Sequence, residues 1–274
     1  MLRDATCLPI LALAALACFA SAGLAATTPP TLVTLDAMTS PELAARIAHG
    51  TTTVIVPIGG TEQNGPYMTL GKHNARVEAL ATRIAEALGN AVVAPVVTYV
   101  PEGAVSPPSG HMRYPGTVSV PDRAFEATLE GIAASFRQHG FRDIVFLGDH
   151  GGYQASLARV ATRLDKAWAA SPARVHAIPE YYRASSAGFD KTLAARGYTA
   201  AEIGTHAGLA DTALALAAAP SVVRADALHS AVNPASAPGV AGNPARATAE
   251  LGALGVDAIV TSTVAAIRAA VARH

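Results

Sequence analysis

The sequence predicts an α/β domain whose central sheet is mainly parallel and is covered by helices on both faces. Two observations favour this fold class. Short apolar runs of strand length alternate along the chain with segments that carry apolar residues at helical spacing. The run 53–58 is almost wholly apolar and ends at two glycines, as expected of a strand buried on both faces. Strands separated by helices form βαβ units, and these units place their strands in parallel.

The individual elements follow from the same two patterns. Predicted strands are β-branched or apolar runs bounded by turn residues, at 53–58, 91–97, 143–147 and 174–179. Predicted helices have helical apolar spacing, at 74–88, 122–139, 155–169 and 211–218, with one long or two short helices in 247–271. Pro121 and Asp122 are suitable start residues for the helix at 122–139. Because the chain has no internal repeat and no low-complexity linker, we expect residues 26–274 to form one domain.

The first 25 residues have the layout of a secretory signal peptide. Arg3 precedes an apolar run at 8–24, and small residues around 20–25 offer cleavage sites. An uncleaved anchor helix and a lipoprotein attached through Cys18 are the alternatives. Both cysteines, Cys7 and Cys18, lie in this segment, so the mature chain would have no disulfide and no thiolate ligand. We therefore expect a secreted or periplasmic protein. No other stretch is expected to reach the roughly 20 apolar residues of a membrane span.

Composition and missing motifs exclude several classes of function. The 274 residues are 51% hydrophobic and carry 20 basic and 20 acidic side chains. This balance leaves no basic stripe for phosphates, so a nucleic-acid partner is not expected. The chain also lacks the Gly-x-Ser-x-Gly elbow of serine hydrolases, a phosphate-binding loop and a dinucleotide fingerprint.

Polar residues follow two of the predicted strands. Glu62 comes after the strand at 53–58, and His150 comes directly after the strand at 143–147. Because parallel strands end at the same edge of a sheet, both side chains are expected there. Other candidate polar residues outside the predicted helical interiors are His73, His111, Asp149, His206 and Asp211. Carboxylate and imidazole without cysteine suit a catalytic zinc or manganese ion. Asp149 could instead cap the helix that follows it, and His111 could line a substrate wall or a surface turn.

Five ordered segments resemble the creatininase (creatinine amidohydrolase) family. Segment 56–67 (VPIGGTEQNGPY) is similar to the family signature Pro-x-Gly-x-x-Glu-Gln-His-Gly-Pro-His. The other four resembling segments are 114–119 (YPGTVS), 148–152 (GDHGG), 206–212 (HAGLADT) and 239–252 (GVAGNPARATAELG). The resemblance implies a three-layer α/β/α fold, a hexamer or other homo-oligomer, two divalent metals and hydrolysis of amide bonds.

The resemblance assigns roles to four residues. Glu62 and His150 match metal-binding positions of the family. His206 matches a histidine that shuttles protons. Asp211 stands in place of a glutamate and could be a metal ligand or could orient His206.

The sequence departs from the family signature at the metal positions. Asn64 stands in place of a metal-binding histidine, Tyr67 in place of the next histidine, and Gly152 in place of a metal-binding glutamate. His73 falls where the family has an aspartate that bridges two metals, and a neutral imidazole presents one lone pair to one metal. One position keeps its ligands, namely Glu62, His73 and His150. We therefore expect one divalent ion per chain, Zn²⁺ or alternatively Mn²⁺, rather than two.

The leading functional hypothesis is an exported, metal-dependent amidohydrolase that acts on a small cyclic or linear amide. Metal-activated water would attack the amide carbonyl, and His206 would protonate the leaving nitrogen. Two alternatives remain open: a metal-dependent hydrolase of a lactone or formamide, and a non-catalytic binding protein on the same fold. The altered signature argues against creatinine itself as the substrate.

Overall fold

A parallel sheet lies at the centre of the fold. The computed structural model describes residues 32–273, and the predicted leader at 1–25 lies outside this range. Within it, the sheet has four strands in the order β2-β1-β3-β4, all parallel. They are β1 (Thr53–Ile58), β2 (Ala91–Val93), β3 (Asp143–Gly148) and β4 (Arg174–Ala177). The predicted α/β class with a parallel sheet is confirmed.

Alternating side chains of the strands build one apolar core on each face of the sheet. Ile55 and Val145 join the core that is formed with α2, α8 and α10, while Val54 and Phe146 join the core formed with α3 and α4. The helices are α1 (Ser40–Ala48), α2 (Lys72–Leu88), α3 (Asp122–Gln138), α4 (Gln154–Ala167), α5 (Pro179–Arg183), α6 (Phe189–Ala194), α7 (Ala200–Ile203), α8 (Leu209–Ala218), α9 (Ala225–His229) and α10 (Ala249–Val271). Because strand side chains alternate between the two faces, these cores give the molecule three layers.

Two predicted boundaries are wrong in ways that affect the site. The strand expected at 91–97 ends at Val93. Pro95 follows two residues later, and proline cannot donate a ladder hydrogen bond. Val97 then meets Ile58 in an isolated parallel bridge. Helix α2 begins at Lys72 rather than at residue 74, so His73 lies in the first helical turn and not in a loop.

Helix α10 corrects the expectation that no stretch beyond the leader reaches the length of a membrane span. Within the described residues, it is the one helix that is long and apolar enough by length and composition to cross a membrane. It packs against α8, α2 and α5 and buries Val256, Ile259 and Ile267. These contacts make it a layer of the fold, and 247–271 therefore holds one long helix rather than two.

Candidate metal centre

The site lies where β1 and β3 end. Glu62 and His150 follow these strands, and Glu62 Oε2 lies 3.8 Å from His150 Nε2. The register pairs Ile58 with Gly148, and the N–H of Asp149 donates to Ile58 O over 3.0 Å. The two loops therefore start side by side, and the predicted meeting of Glu62 and His150 at one edge holds.

His73 bridges two buried carboxylates. Its Nε2 lies 2.7 Å from Glu62 Oε1, and its Nδ1 lies 2.6 Å from Asp149 Oδ2. Asp149 also accepts hydrogen bonds from Arg76 Nε at 2.9 Å and from the hydroxyl of Tyr181 at 2.7 Å. It therefore holds a histidine rather than capping α4. A carboxylate behind a metal-binding histidine fixes the ring and raises its basicity, so this pair has the form of a histidine ligand with its supporting carboxylate.

The charges around Asp149 and Glu62 keep both carboxyl groups ionised. Burial acts to raise the pKa of Asp149, but the charge of Arg76 and the hydrogen bond from His73 lower it below its usual range. Burial likewise acts to raise the pKa of Glu62. The hydrogen bond from His73 and the charge of Lys72 outweigh burial, so the pKa of Glu62 is lowered. Burial lowers the pKa of His150 to about 4, so this imidazole is neutral near pH 7.

His206 and His111 form the opposite wall of the site. Their ring centroids are 4.1 Å apart. His206 Nε2 donates to the carbonyl oxygen of Gln63 over 2.8 Å, while its Nδ1 lies 3.7 Å from Glu62 Oε1. Burial and the charge of Lys72 lower the pKa of His206 to about 4. His206 is therefore neutral near pH 7, and Nδ1 is its proton-accepting atom.

Asp211 faces two buried cations rather than the histidines. Its Oδ2 lies 3.1 Å from Lys72 Nζ, and its Oδ1 lies 2.9 Å from Arg76 Nη1. The N–H of Ala207 also donates to Oδ2 over 2.9 Å. Burial acts to raise the pKa of Asp211, but the charges of Lys72 and Arg76 lower it well below its usual range. Both carboxylate oxygens of Asp211 are thus bound by protein groups. The geometry therefore does not support the expectation that Asp211 is a metal ligand.

Two buried charged residues of the site, Lys72 and Glu102, were not predicted from the sequence. Lys72 is fully buried, with Nζ 3.5 Å from Glu62 Oε1. Glu102 is also buried, and its Oε2 lies 3.6 Å from His150 Nε2. Burial and the charge of Glu62 raise the pKa of Glu102 to about 8. Lys72 resembles an ordinary charge at the start of a helix, and Glu102 lies in an irregular segment outside the quoted motifs, so neither carried a usable signal.

The donor atoms fit a divalent ion. Two groups of three residues have all their ligand atoms within 4.8 Å of one another, and Glu62 belongs to both. The first group adds His73 and His150, and the second adds His111 and His206. Within residues 32–273, Glu62 Oε2 has no hydrogen-bond partner. Buried carboxylate oxygens without a partner favour a cation, and imidazole with carboxylate suits zinc or manganese. His206 was expected to move protons rather than to bind metal, yet one of its ring nitrogens belongs to the second group of possible ligands.

A model of the creatininase family, described as creatinine amidohydrolase, matches residues 36–267. The chain belongs to the creatininase family. A solved structure titled "Creatininase Mn" superposes with a TM-score of 0.70 at 25% identity, covering 86% of this chain and 98% of that one.

Two curated relatives of this creatininase-family chain match over shorter segments. The mycofactocin precursor peptide peptidase of Mycolicibacterium smegmatis is 36% identical over 116 residues, which is 40% of this chain and 44% of the relative. The 3-dehydro-scyllo-inosose hydrolase of Thermotoga maritima is 32% identical over 123 residues, which is 44% of this chain and 37% of the relative. The aligned segments thus span less than half of either relative.

The substituted signature positions of this creatininase-family member have structural roles. Asn64 Nδ2 donates to the carbonyl oxygens of Glu62 and Thr69, over 2.9 and 3.0 Å. Its side chain therefore holds the turn of its own loop. A Cβ at Gly152 would lie 3.0 Å from the ring of His150, so the glycine gives that ring its room.

Proposed function

We propose that this protein is a metal-dependent hydrolase that cleaves an amide C–N bond of a small molecule with one Zn²⁺ or Mn²⁺ per chain. Glu62, His73 and His150 would hold the ion. The observation that carries the proposal is this donor group at the carboxyl ends of β1 and β3, with Asp149 supporting His73. Family membership adds support, because the family model is described by an amidohydrolase.

The protein's own residues would orient the ligands and keep the site charged. A bound divalent ion supplies Lewis-acid activation of water and polarisation of the amide carbonyl. Asp149 accepts the Nδ1–H of His73, so Nε2 is the nitrogen that would bind the ion, in place of its hydrogen bond with Glu62. Arg76 and Tyr181 hold Asp149 in turn, which leaves the ring of His73 little freedom.

His206 would move the proton that amide cleavage requires. Because the His206 ring is neutral near pH 7, it has no extra proton to donate when the reaction begins. The unperturbed pKa of histidine, about 6.5, would have suggested a partly protonated ring. We infer that Nδ1 first accepts a proton from the attacking water and then delivers it to the leaving nitrogen. The hydrogen bond from Nε2 to Gln63 O holds Nδ1 toward Glu62 during both transfers.

Buried cations of the protein favour one ion over two. Lys72 Nζ lies between Glu62 and Asp211, and Arg76 binds the other oxygen of Asp211. A second divalent ion beside Asp211 would be placed next to two fixed positive charges, which oppose its binding.

The cavity at the site is of a size suited to a small substrate. It has a volume of about 490 Å³ and is lined by charged and polar side chains, among them His111, His150, Tyr182 and His206. Volumes of this order are typical of small-molecule sites. The similarity to a peptide peptidase supports an amide substrate, while the similarity to an inosose hydrolase favours testing other bonds as well.

Metal content and turnover measured together test the proposal. The protein is purified without added metal, its ions are counted by mass spectrometry, and it is reloaded with Zn²⁺ or Mn²⁺. Matched panels of small amides, lactones and formamides are then assayed. One ion per chain with amide turnover supports the proposal. Turnover confined to lactones or formamides would replace it with the alternative hydrolase, and absence of both metal and turnover would leave a binding protein.

Two further properties belong to the proposal. The order of charged, apolar and small residues in 1–25 supports export of the chain to the periplasm or beyond the cell. We also propose a homo-oligomer, with the hexamer implied by the family resemblance as the first assembly to test by sedimentation.

A further inference from the structure

Three buried carboxylate oxygens stand out in the site because they lack a hydrogen-bond partner within residues 32–273. They are Glu62 Oε2 and both oxygens of Glu102. The side chains of both residues are fully shielded from solvent. An unpaired carboxylate costs several kcal/mol to bury in this way. Two carboxyl groups buried side by side with unpartnered oxygens therefore form a place where one cation would satisfy both.

Two imidazoles approach these oxygens at distances unsuited to hydrogen bonds. His150 Nε2 lies 3.6 Å from Glu102 Oε2 and 3.8 Å from Glu62 Oε2, and His111 Nε2 lies 3.6 Å from Glu62 Oε2. Hydrogen bonds between such atoms are about 2.7–3.2 Å long. Ligands of one tetrahedral ion with bonds of about 2.0–2.2 Å lie roughly 3.3–3.6 Å apart. The spacing around His150 Nε2 therefore matches shared ligation better than direct pairing.

The backbone around Glu102 delivers its carboxylate to this point. The N–H of Glu102 donates to Ser119 Oγ over 3.0 Å, and Ser119 Oγ donates to Gly103 O over 2.8 Å. These bonds fix the chain on both sides of the glutamate. The carboxylate of Glu102 also lies against the backbone of Gly60, which has a φ of +156°. A Cβ at position 60 would lie 2.5 Å from Glu102 Oε1. Only glycine at this position leaves room for the carboxylate.

We propose that Glu102 is a metal ligand, which joins Glu62 and His150 around the same divalent ion. This inference rests on the metal centre of the proposed function and is independent of which bond the enzyme cleaves. It adds a second carboxylate from the segment before α3, far in the sequence from the loops that carry Glu62 and His150. It also gives the orphaned oxygens of Glu102 the partner that residues 32–273 do not supply.

Cobalt binding tests this assignment without any substrate. The full chain is stripped with a chelator and titrated with Co²⁺, whose visible absorption reports the number and type of ligands, and affinity is measured by competition with a chelator. Three variants are compared with the unmodified chain: Glu102→Gln, Glu102→Asp and, as a matched control, Glu86→Gln on the exposed face of α2. Unfolding of each metal-free protein is followed in urea.

If Glu102 is a ligand, Glu102→Gln weakens Co²⁺ binding by at least 10–100-fold, the loss typical of removing even an outer-sphere partner. Its absorption spectrum also changes, while Glu86→Gln matches the unmodified chain. Metal-free Glu102→Gln is about as stable as the unmodified chain near pH 7, because the amide keeps the size and shape of the side chain and adds no buried charge. If Glu102→Gln does not fold, the test uses Glu102→Asp. This variant should then bind Co²⁺ more weakly than the unmodified chain and show a shifted absorption spectrum.

Two results overturn the inference, and they differ from each other. If the unmodified chain binds Co²⁺ and the foldable Glu102 variants bind it with the same affinity and spectrum, Glu102 is not a ligand and the proposed function stands. If the unmodified chain binds no Co²⁺ and no Zn²⁺, the metal centre fails, and the proposed function and the role of Glu102 fail with it.

Discussion

Replacing Lys72 by methionine is expected to destabilise the metal-free protein strongly. Lys72 is fully buried, and its ammonium group lies 3.1 Å from Asp211 Oδ2 and 3.5 Å from Glu62 Oε1. Methionine has a similar length and helix propensity, so it retains most of the packing in α2. The change therefore removes a charge and leaves two carboxylates with one cation fewer.

The distances give the size of the effect. At an effective dielectric constant of about 20, each of the two contacts contributes roughly 5 kcal/mol of Coulomb attraction. Burial of the ammonium group opposes this gain, and removing one partner of a buried ion pair typically costs about 3–5 kcal/mol. For a protein of this size, 1 kcal/mol shifts the melting temperature by about 2–4 °C, so we expect a fall of roughly 6–20 °C.

Urea unfolding of the metal-free protein measures this cost. Lys166→Met, at an exposed position of α4, serves as the matched control and is expected to change the free energy of unfolding by less than about 0.5 kcal/mol. The double variant Lys72→Met with Asp211→Asn should lose less than the sum of the single losses by at least about 1 kcal/mol, because the two residues interact. A cost below about 1 kcal/mol for Lys72→Met, with additive behaviour in the double variant, would refute the proposed ion pairing.

Four further predictions concern the ligand, the proton, the leader and an outer salt bridge. His73→Ala should lower the metal content per chain, and an unchanged content would make His73 a structural residue. His206→Asn should retain fold and metal while turnover falls by about 10²-fold or more, and loss of metal would make His206 a ligand instead. N-terminal sequencing of protein purified from cells should begin near Thr27, whereas Met1 would contradict cleavage. Hydrogen bonds from the backbone N–H and the hydroxyl of Thr199 and from Arg246 lower the pKa of Glu202 to about 2, so its stabilising effect is present above about pH 4.5 and is lost as the pH falls through about 2. The stability difference between the unmodified chain and Glu202→Gln should accordingly shrink as the pH falls from about 4.5 toward 2, and a constant difference would exclude this linkage.

The strands and their common edge were predictable because they depend on local sequence. The apolar runs at 53–58 and 143–147 are long enough to require burial on both faces, and the structure pairs them in parallel. That arrangement alone brings Glu62 and His150 together. The short helices between β4 and α8 were not predicted, because four to six residues are too few to show a helical period.

The charged interior of the site could not be read from the sequence. Lys72 and Glu102 carry side chains that are usually exposed. Their burial depends on partners that only the fold supplies, such as Asp211 on α8 for Lys72 and the glycine at position 60 for Glu102. Arg76 lies one helical turn after His73, so the two share a face of α2. That spacing was the one local signal that a cation accompanies the histidine.

The balance of buried charge explains why the metal should favour one end of the site. Lys72 and Arg76 together neutralise Asp211, and Lys72 also reaches Oε1 of Glu62. The opposite oxygen of Glu62 and both oxygens of Glu102 have no such partner within residues 32–273. A dication is therefore attracted to the Glu62–Glu102 end and repelled from the Asp211 end, where protein cations already provide the positive charge. On this reasoning, removal of Lys72 lowers the stability of the metal-free chain and at the same time lessens the repulsion that opposes a second ion. Metal counts for Lys72→Met that rise above one per chain would show this second effect directly.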